Sequence, residues 1–433
     1  MEDGSRGVEH AASDGASEAG ALSRRRLLGL GAGGAALLAA GTAGLLRARS
    51  AGPPGASTSA TRAAGAFHPD LAGTILASRA RAVADGDRAA FLATVASAPP
   101  AFQEAQARVY DNLRKLPLEG WRERLVRTQP IDGDSGEAVV QVEVRYKLRD
   151  FDRDEVARTR FLSLGPRSGG WVIVGDGSAH GLDGDSDIWD GGPLTVVRGR
   201  AVLVIGDAAG LDGIAGRLDA AVPIVTGIVG GGWARRAVAL VPAAPRLATA
   251  LAGQGPDLGE VAALATVVPS AGGGRGEDRV IVSPATFGRL NALGRDVVLT
   301  HELTHVATGG ARDRTTPLWL IEGFADYVGY SRAKVGVRSA ARELAREVAA
   351  GRVPPALPGA DAFAGTSPGL SRAYQESWLA SRMVAGRYGE ATLVRLYRAA
   401  GRVSEAAALR DVLGLTRDRF TAQWRDYLKK ELR

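Results

Sequence analysis

The sequence predicts an α+β protein with two folded regions. Three observations carry this reading. Helical periodicity over residues 71–116 is followed by four β-patterned runs up to residue 175. From about residue 193, short apolar runs are interspersed with helical ones. The last hundred residues then read as helix, apart from one Pro-rich loop. Helices and strands that cluster, rather than alternate strictly, suit α+β layers. At 433 residues and 45% hydrophobic content, the chain is long enough for more than one core.

The formal charge is +7 and the pI about 9.9. This excess does not describe a nucleic-acid groove. Lysine occurs only at 115, 147, 334, 429 and 430, and the many arginines are scattered among acids. They do not cluster with exposed aromatics, so no nucleic-acid partner is expected. There is no cysteine, which excludes disulfides and thiolate metal sites.

Residues 1–22 are small, polar and aperiodic, the composition of a disordered terminus. Residues 23–46 hold Ser23-Arg24-Arg25-Arg26 and then an uncharged run from Leu27 to Leu46. That run is long enough to span a bilayer, and arginines before it keep the N-terminus inside. It has two readings. Uncleaved, it is a single-pass membrane anchor. Its softness, with Gly29, Gly31, Gly33, Gly34, Gly41 and Gly44, also resembles a twin-arginine leader, with a weak cleavage site near Ala48–Ala51. Either way the rest of the chain is expected outside the cytoplasm. Residues 47–66, rich in Ala, Gly, Pro, Ser and Thr, form a tether.

The first folded region covers residues 67–180. Helices are expected at Leu71–Asp85, Arg88–Ala96 and Ala101–Leu116, then strands at Glu119–Thr128, Glu137–Leu148, Glu155–Leu164 and Trp171–Gly175. The alternation from Val140 to Tyr146 demands one wet face. This order, with the opening ARAVADGDRAAFLATV, resembles NTF2-like rolls, which implies a passive binding or spacer role. Residues 181–192 carry Asp183, Asp185 and Asp187 at alternate positions. Ile188 stands where a calcium loop needs glycine, and no glutamate closes it. A turn-rich joint is the simpler reading.

The second region covers residues 193–433. Leu194–Ile205 is strand-like with a turn at Gly199, Leu211–Val229 is helical, Ala237–Val241 is a strand and Ala244–Leu251 a short helix. Val261–Val268 and Arg279–Ser283 are β runs joined by Gly272-Gly273-Gly274-Arg275-Gly276, which lacks the Lys-Ser/Thr of a phosphate loop. Later helices are expected at Ser331–Ala350, Arg372–Tyr388, Ala391–Ala400 and Arg417–Leu432.

The second region is organised around Val297–Gly310, one amphipathic helix containing His301-Glu302-Leu303-Thr304-His305. Two imidazoles four residues apart share a helix face one turn apart, the spacing that lets a metal take two nitrogens from one rigid element. Glu302 stands beside the first, placed to deprotonate a metal-activated water. Only five histidines occur in the chain, and none follows His305. Thr308 and Ala311 occupy the places where a longer zinc motif carries its glycine and third histidine. A carboxylate must complete the site. Glu322 lies in the otherwise apolar run Leu318-Trp319-Leu320-Ile321-Glu322-Gly323-Phe324-Ala325-Asp326-Tyr327, with Thr316 as N-cap and Pro317 as first helical residue. Asp326 follows one turn later on the same face, able to orient a histidine.

H-E-L-T-H followed by W-L-I-E-G-F-A-D-Y resembles the gluzincin clan of zinc metallopeptidases, in particular peptidase MA-like families. The resemblance implies a gluzincin-like domain with a mixed sheet lobe and a helical lobe. It implies one Zn2+ per chain held by His301, His305 and Glu322, with Glu302 as general base and Asp326 behind the ligands. Tyr374, in Ala373-Tyr374-Gln375-Glu376-Ser377-Trp378, matches the tyrosine that donates to the oxyanion in the aminopeptidase branch; its other reading is a packing aromatic. No G-x-M-E-N segment precedes the zinc helix, so an endopeptidase is expected rather than an aminopeptidase. The resemblance further implies that Arg279–Ser283 or Val261–Val268 accepts extended substrate as an added strand. The expected partner is a peptide or protein substrate. The alternatives are a non-catalytic cell-envelope binding module with a structural zinc, and a metallohydrolase acting on non-peptide amides.

Overall fold

A computed structural model describes residues 67–129, 136–167, 170–253, 261–364 and 367–433. Residues 23–46, expected as a leader or anchor, and their flanks lie outside the described residues. Among those described, no helix is long and apolar enough to cross a membrane.

Three helices open the fold: α1 (Pro69–Asp85), α2 (Arg88–Ala93) and α3 (Pro100–Leu113). Gly86 ends α1 in the left-handed region at φ 74°, and the Asp87 side chain caps α2 by accepting from Ala90 N at 2.9 Å. An antiparallel meander follows, β1 (Leu118–Gln129), β2 (Ala138–Leu148), β3 (Val156–Arg167) and β4 (Gly170–Asp176), in that spatial order. Val140, Val142 and Val144 of β2 are buried against Ala72 and Leu76 of α1, while Gln141, Glu143 and Arg145 are only half-buried. The period-2 pattern thus sets which face takes the helices.

Three aspartates of the joint are taken up by an arginine or a backbone N–H. Arg160 Nη2 donates to Asp187 Oδ2 at 2.7 Å and Asp190 Oδ2 at 2.8 Å, and Asp185 Oδ2 accepts from Thr159 N at 2.7 Å. Asn112 of α3 ties the joint down, donating to Trp189 O and Gly192 O and accepting from Leu194 N.

The second sheet contains β5 (Thr195–Arg198), β6 (Val202–Gly206), β7 (Ala237–Val241), β8 (Ala263–Val268) and β9 (Glu277–Val282), in the order β5-β6-β7-β9-β8. β6, β7 and β9 run parallel, and antiparallel hairpins add β5 and β8 at the edges. α4 (Leu211–Val229) and α5 (Pro245–Ala252) link the middle strands. One face, with Val204, Ala239 and Val280, packs on the helical core. The other, with Ile205, Leu240 and Ile281, packs on the first region through Tyr110, Tyr146 and Trp189. Burial of both faces explains the unbroken apolar runs of β6 and β7.

The sheet order corrects one expectation. β9, the Arg279–Ser283 run, lies between β7 and β8, so both its edges are taken and it cannot accept a further strand. β8 is the edge strand. The first region grips this hairpin. Arg279 pairs with Asp152 (Nη1–Oδ1 2.8 Å), both at most 2% exposed, and Glu277 Oε1 accepts from Arg153 N and Asp154 N.

Helices complete the chain: α6 (Pro284–Phe287), α7 (Ala292–Thr308), α8 (Leu318–Tyr330), α9 (Val337–Ala340), α10 (Arg342–Ala349), α11 (Leu370–Tyr388), α12 (Glu390–Ala400), α13 (Glu405–Leu413) and α14 (Arg417–Leu432). α7 begins before the expected 297, because Asn291 caps it by accepting from Gly294 N at 2.8 Å. Thr316 is not the cap of α8. Pro317 holds that position, and the Thr316 hydroxyl donates to Asp313, whose carboxylate organises the preceding turn. The single helix expected over Ser331–Ala350 is two short ones, because Gly336 is extended and Ala341 leaves helical geometry. α13 was not expected; Ser404 caps it and Gly414 ends it at φ 69°.

Candidate metal centre

α7 and α8 bring His301, His305 and Glu322 together. His301 Nε2 lies 3.0 Å from His305 Nε2 and 3.2 Å from Glu322 Oε2; His305 Nε2 lies 3.6 Å from the same oxygen. Donors bound to one zinc at its usual lengths, near-tetrahedrally, are separated by about 3.3–3.5 Å. Both Glu322 oxygens are buried without a hydrogen-bond donor. An orphaned carboxylate facing two Nε2 atoms fits a divalent cation, and this buried group could hold one. Among the described residues it is the only such cluster.

The electrostatics agree with the geometry. Burial works against ionising Glu322, but the two imidazoles outweigh it and hold the carboxyl at about 2. Burial likewise opposes protonated His301, and Asp326 and Glu322 reverse that, raising its pKa well above the ordinary value. Two negative groups therefore favour positive charge at this spot, whether a proton or an ion supplies it.

Asp326 Oδ1 stands 3.0 Å from His301 Nδ1. A proton on Nδ1 donated to Asp326 leaves the Nε2 lone pair facing His305 and Glu322. Glu302 points elsewhere, to the sheet: its Oε2 accepts from the backbone N–H of Ala265 on β8 at 2.7 Å. Burial raises the Glu302 pKa, partly offset by the two histidines and that N–H. Tyr374 on α11 is buried, its ring 6.3 Å from the His301 ring and 5.5 Å from Phe363. It is thus beside the cluster and also a packing aromatic.

Two glycines permit this approach. A Cβ on Gly323 would sit 2.2 Å from Ser377 O, so only glycine lets α8 lie so close to α11. A Cβ on Gly310 would sit 2.7 Å from His305 Nδ1. Gly310 reads from sequence merely as a helix stop, the resemblance offers Val261–Val268 as one of two candidate strands at the site without singling out Ala265, and nothing in the sequence marks Phe363 as a neighbour. The three cluster residues are 1–2% exposed. No protein-family model and no curated protein matches the chain, so the convergence of His301, His305 and Glu322 stands on its own geometry.

Proposed function

We propose that the chain is a zinc-dependent metallopeptidase of gluzincin type acting outside the cytoplasm, an endopeptidase rather than an aminopeptidase. The observation that carries the reading is the convergence of two Nε2 atoms and an unpartnered carboxylate, with a second carboxylate, Glu302, beside His301 in the chain and bonded to Ala265 N of β8. A zinc ion held by His301, His305 and Glu322 would supply Lewis acidity and lower the pKa of the attacking water. Glu302 takes the proton from that water and returns it to the leaving amine. Asp326 keeps His301 in the ligating tautomer. Tyr374 donates to the developing oxyanion. An extended peptide pairs with the β8 edge and takes over the Ala265 N–H from Glu302. In this reading the first region is an NTF2-like roll with a passive role, and residues 23–46 anchor or export the chain.

Glu302→Gln should bind one zinc per chain yet lose peptide hydrolysis by roughly 10²–10⁴-fold, while His301→Ala should lose both. Undiminished hydrolysis by metal-loaded Glu302→Gln rejects the general base. A second reading, a structural zinc in a non-catalytic module, draws on the near-complete burial of the ligands. It predicts tight zinc with no exchangeable water and no hydrolysis by the wild-type chain. Cleavage of amides but not peptides would select a non-peptide amidohydrolase.

A further inference from the structure

We propose that the recess where the first region, the β8–β9 hairpin and the end of α7 meet binds a carboxylate carried on a small apolar group. The recess has a volume of about 210 Å³, and Arg153, Arg236, Arg275 and Arg312 line it against Glu277 and Asp278. Both carboxylates are already engaged. Glu277 Oε1 accepts from two backbone N–H groups, and Asp278 Oδ1 holds Arg312 Nη2 at 2.5 Å. The positive charge is in surplus, and Arg275 pairs with no described residue.

Two residues of this wall carry donors without an acceptor. Trp233 Nε1 and Arg312 Nε are both buried and lack an acceptor, and both residues line this recess. Buried donors are rarely left unmade, because nothing replaces the lost water. A carboxylate offers several lone pairs and one negative charge, so it answers the surplus guanidinium charge and can accept from one of these donors once that side chain turns toward the recess.

The apolar part follows from the neighbouring space. A second cavity of about 290 Å³ shares Gly232, Ala307 and Thr308 as wall residues, and Val229, Phe324 and Val394 line its interior. Together the two reach the size range of small-molecule sites, a charged half beside a more apolar one whose wall also carries Tyr397 and Arg398. The C-terminal residue of a peptide and a short fatty acid share this chemistry. Inorganic phosphate lacks the apolar half.

The test uses the full chain, titrated with N-acetyl-leucine, octanoate, N-acetyl-leucinamide and inorganic phosphate, with tryptophan fluorescence and calorimetry as readouts. The two carboxylates should bind saturably and the amide and phosphate at least tenfold more weakly. The tighter of the two carboxylates names the source, peptide terminus or fatty acid. Trp233→Phe keeps an aromatic ring, removes the N–H and should weaken binding about tenfold. Arg275→Gln, at an exposed position, should weaken it a few-fold and reduce its salt dependence. Binding should survive chelation, since it does not draw on the metal centre. Equal binding of acid and amide, equal binding of phosphate, affinities unmoved in both variants, loss of binding on chelation, or no saturation by roughly 10 mM ligand would each overturn the proposal.

Discussion

Glu302 and Ala265 are 37 positions apart, yet the Glu302 carboxylate accepts the Ala265 backbone N–H at 2.7 Å. The bond fastens the middle of α7 to the free edge of β8. Ala265 is 3% exposed, so its N–H has little water to fall back on. Glu302→Ala should therefore be less stable than Glu302→Gln by about 1–3 kcal/mol, because glutamine keeps an acceptor and alanine orphans the donor. Urea denaturation of both variants in chelator checks this free of any metal contribution. Equal midpoints and slopes would show that the bond contributes nothing to stability.

Asp326 acts on the cluster through His301 Nδ1 at 3.0 Å. Asp326→Ala should weaken zinc affinity about 10–100-fold, because the imidazole loses its tautomer and orientation. Competition with a calibrated chelator at fixed pH measures it.

Gly323→Ala inserts a methyl 2.2 Å from Ser377 O, a backbone atom that cannot swing aside. α8 must move away from α11, at a cost of about 3 kcal/mol or more. Glu322 precedes Gly323, so zinc affinity should fall with stability. A variant with wild-type melting temperature and wild-type zinc affinity would mean that the helices have slack here.

Burial pushes the Glu376 carboxyl up to about 7, and Arg372 at 3.4 Å offsets this only in part. The folded chain thus holds this proton at a pH where the unfolded chain, near 4.5, has released it. Stability from this group falls as pH rises from about 4.5 to 7 and is flat above. Glu376→Gln removes that slope and should stabilise the chain at pH 8 by about 2–3 kcal/mol. Denaturation of both proteins at pH 5 and pH 8 gives the comparison; parallel pH dependences would place the slope on other groups.

Local order determined what the sequence could say by itself. Histidines at 301 and 305 share a face because a helix turns every 3.6 residues. The alternation of Val140, Val142 and Val144 announces a strand with one dry face, and Gly309 at φ 72° ends α7 where a glycine pair stood. Nearest-neighbour chemistry suffices for such features. Tertiary structure alone decided the rest. Val261–Val268 and Arg279–Ser283 both read as strands, yet of the two only β8 lies at an edge among the described residues, because strand order depends on pairing across distant segments. The long helix expected from Ser331 starts only after Gly336 and breaks at Ala341, and the turn before α8 answered to Asp313 rather than Thr316. Glu302 meeting Ala265, and the backbone of α8 lying against α11 at Gly323, likewise depend on how separate elements dock. Periodicity fixes which face of an element is apolar and is blind to which element will cover it.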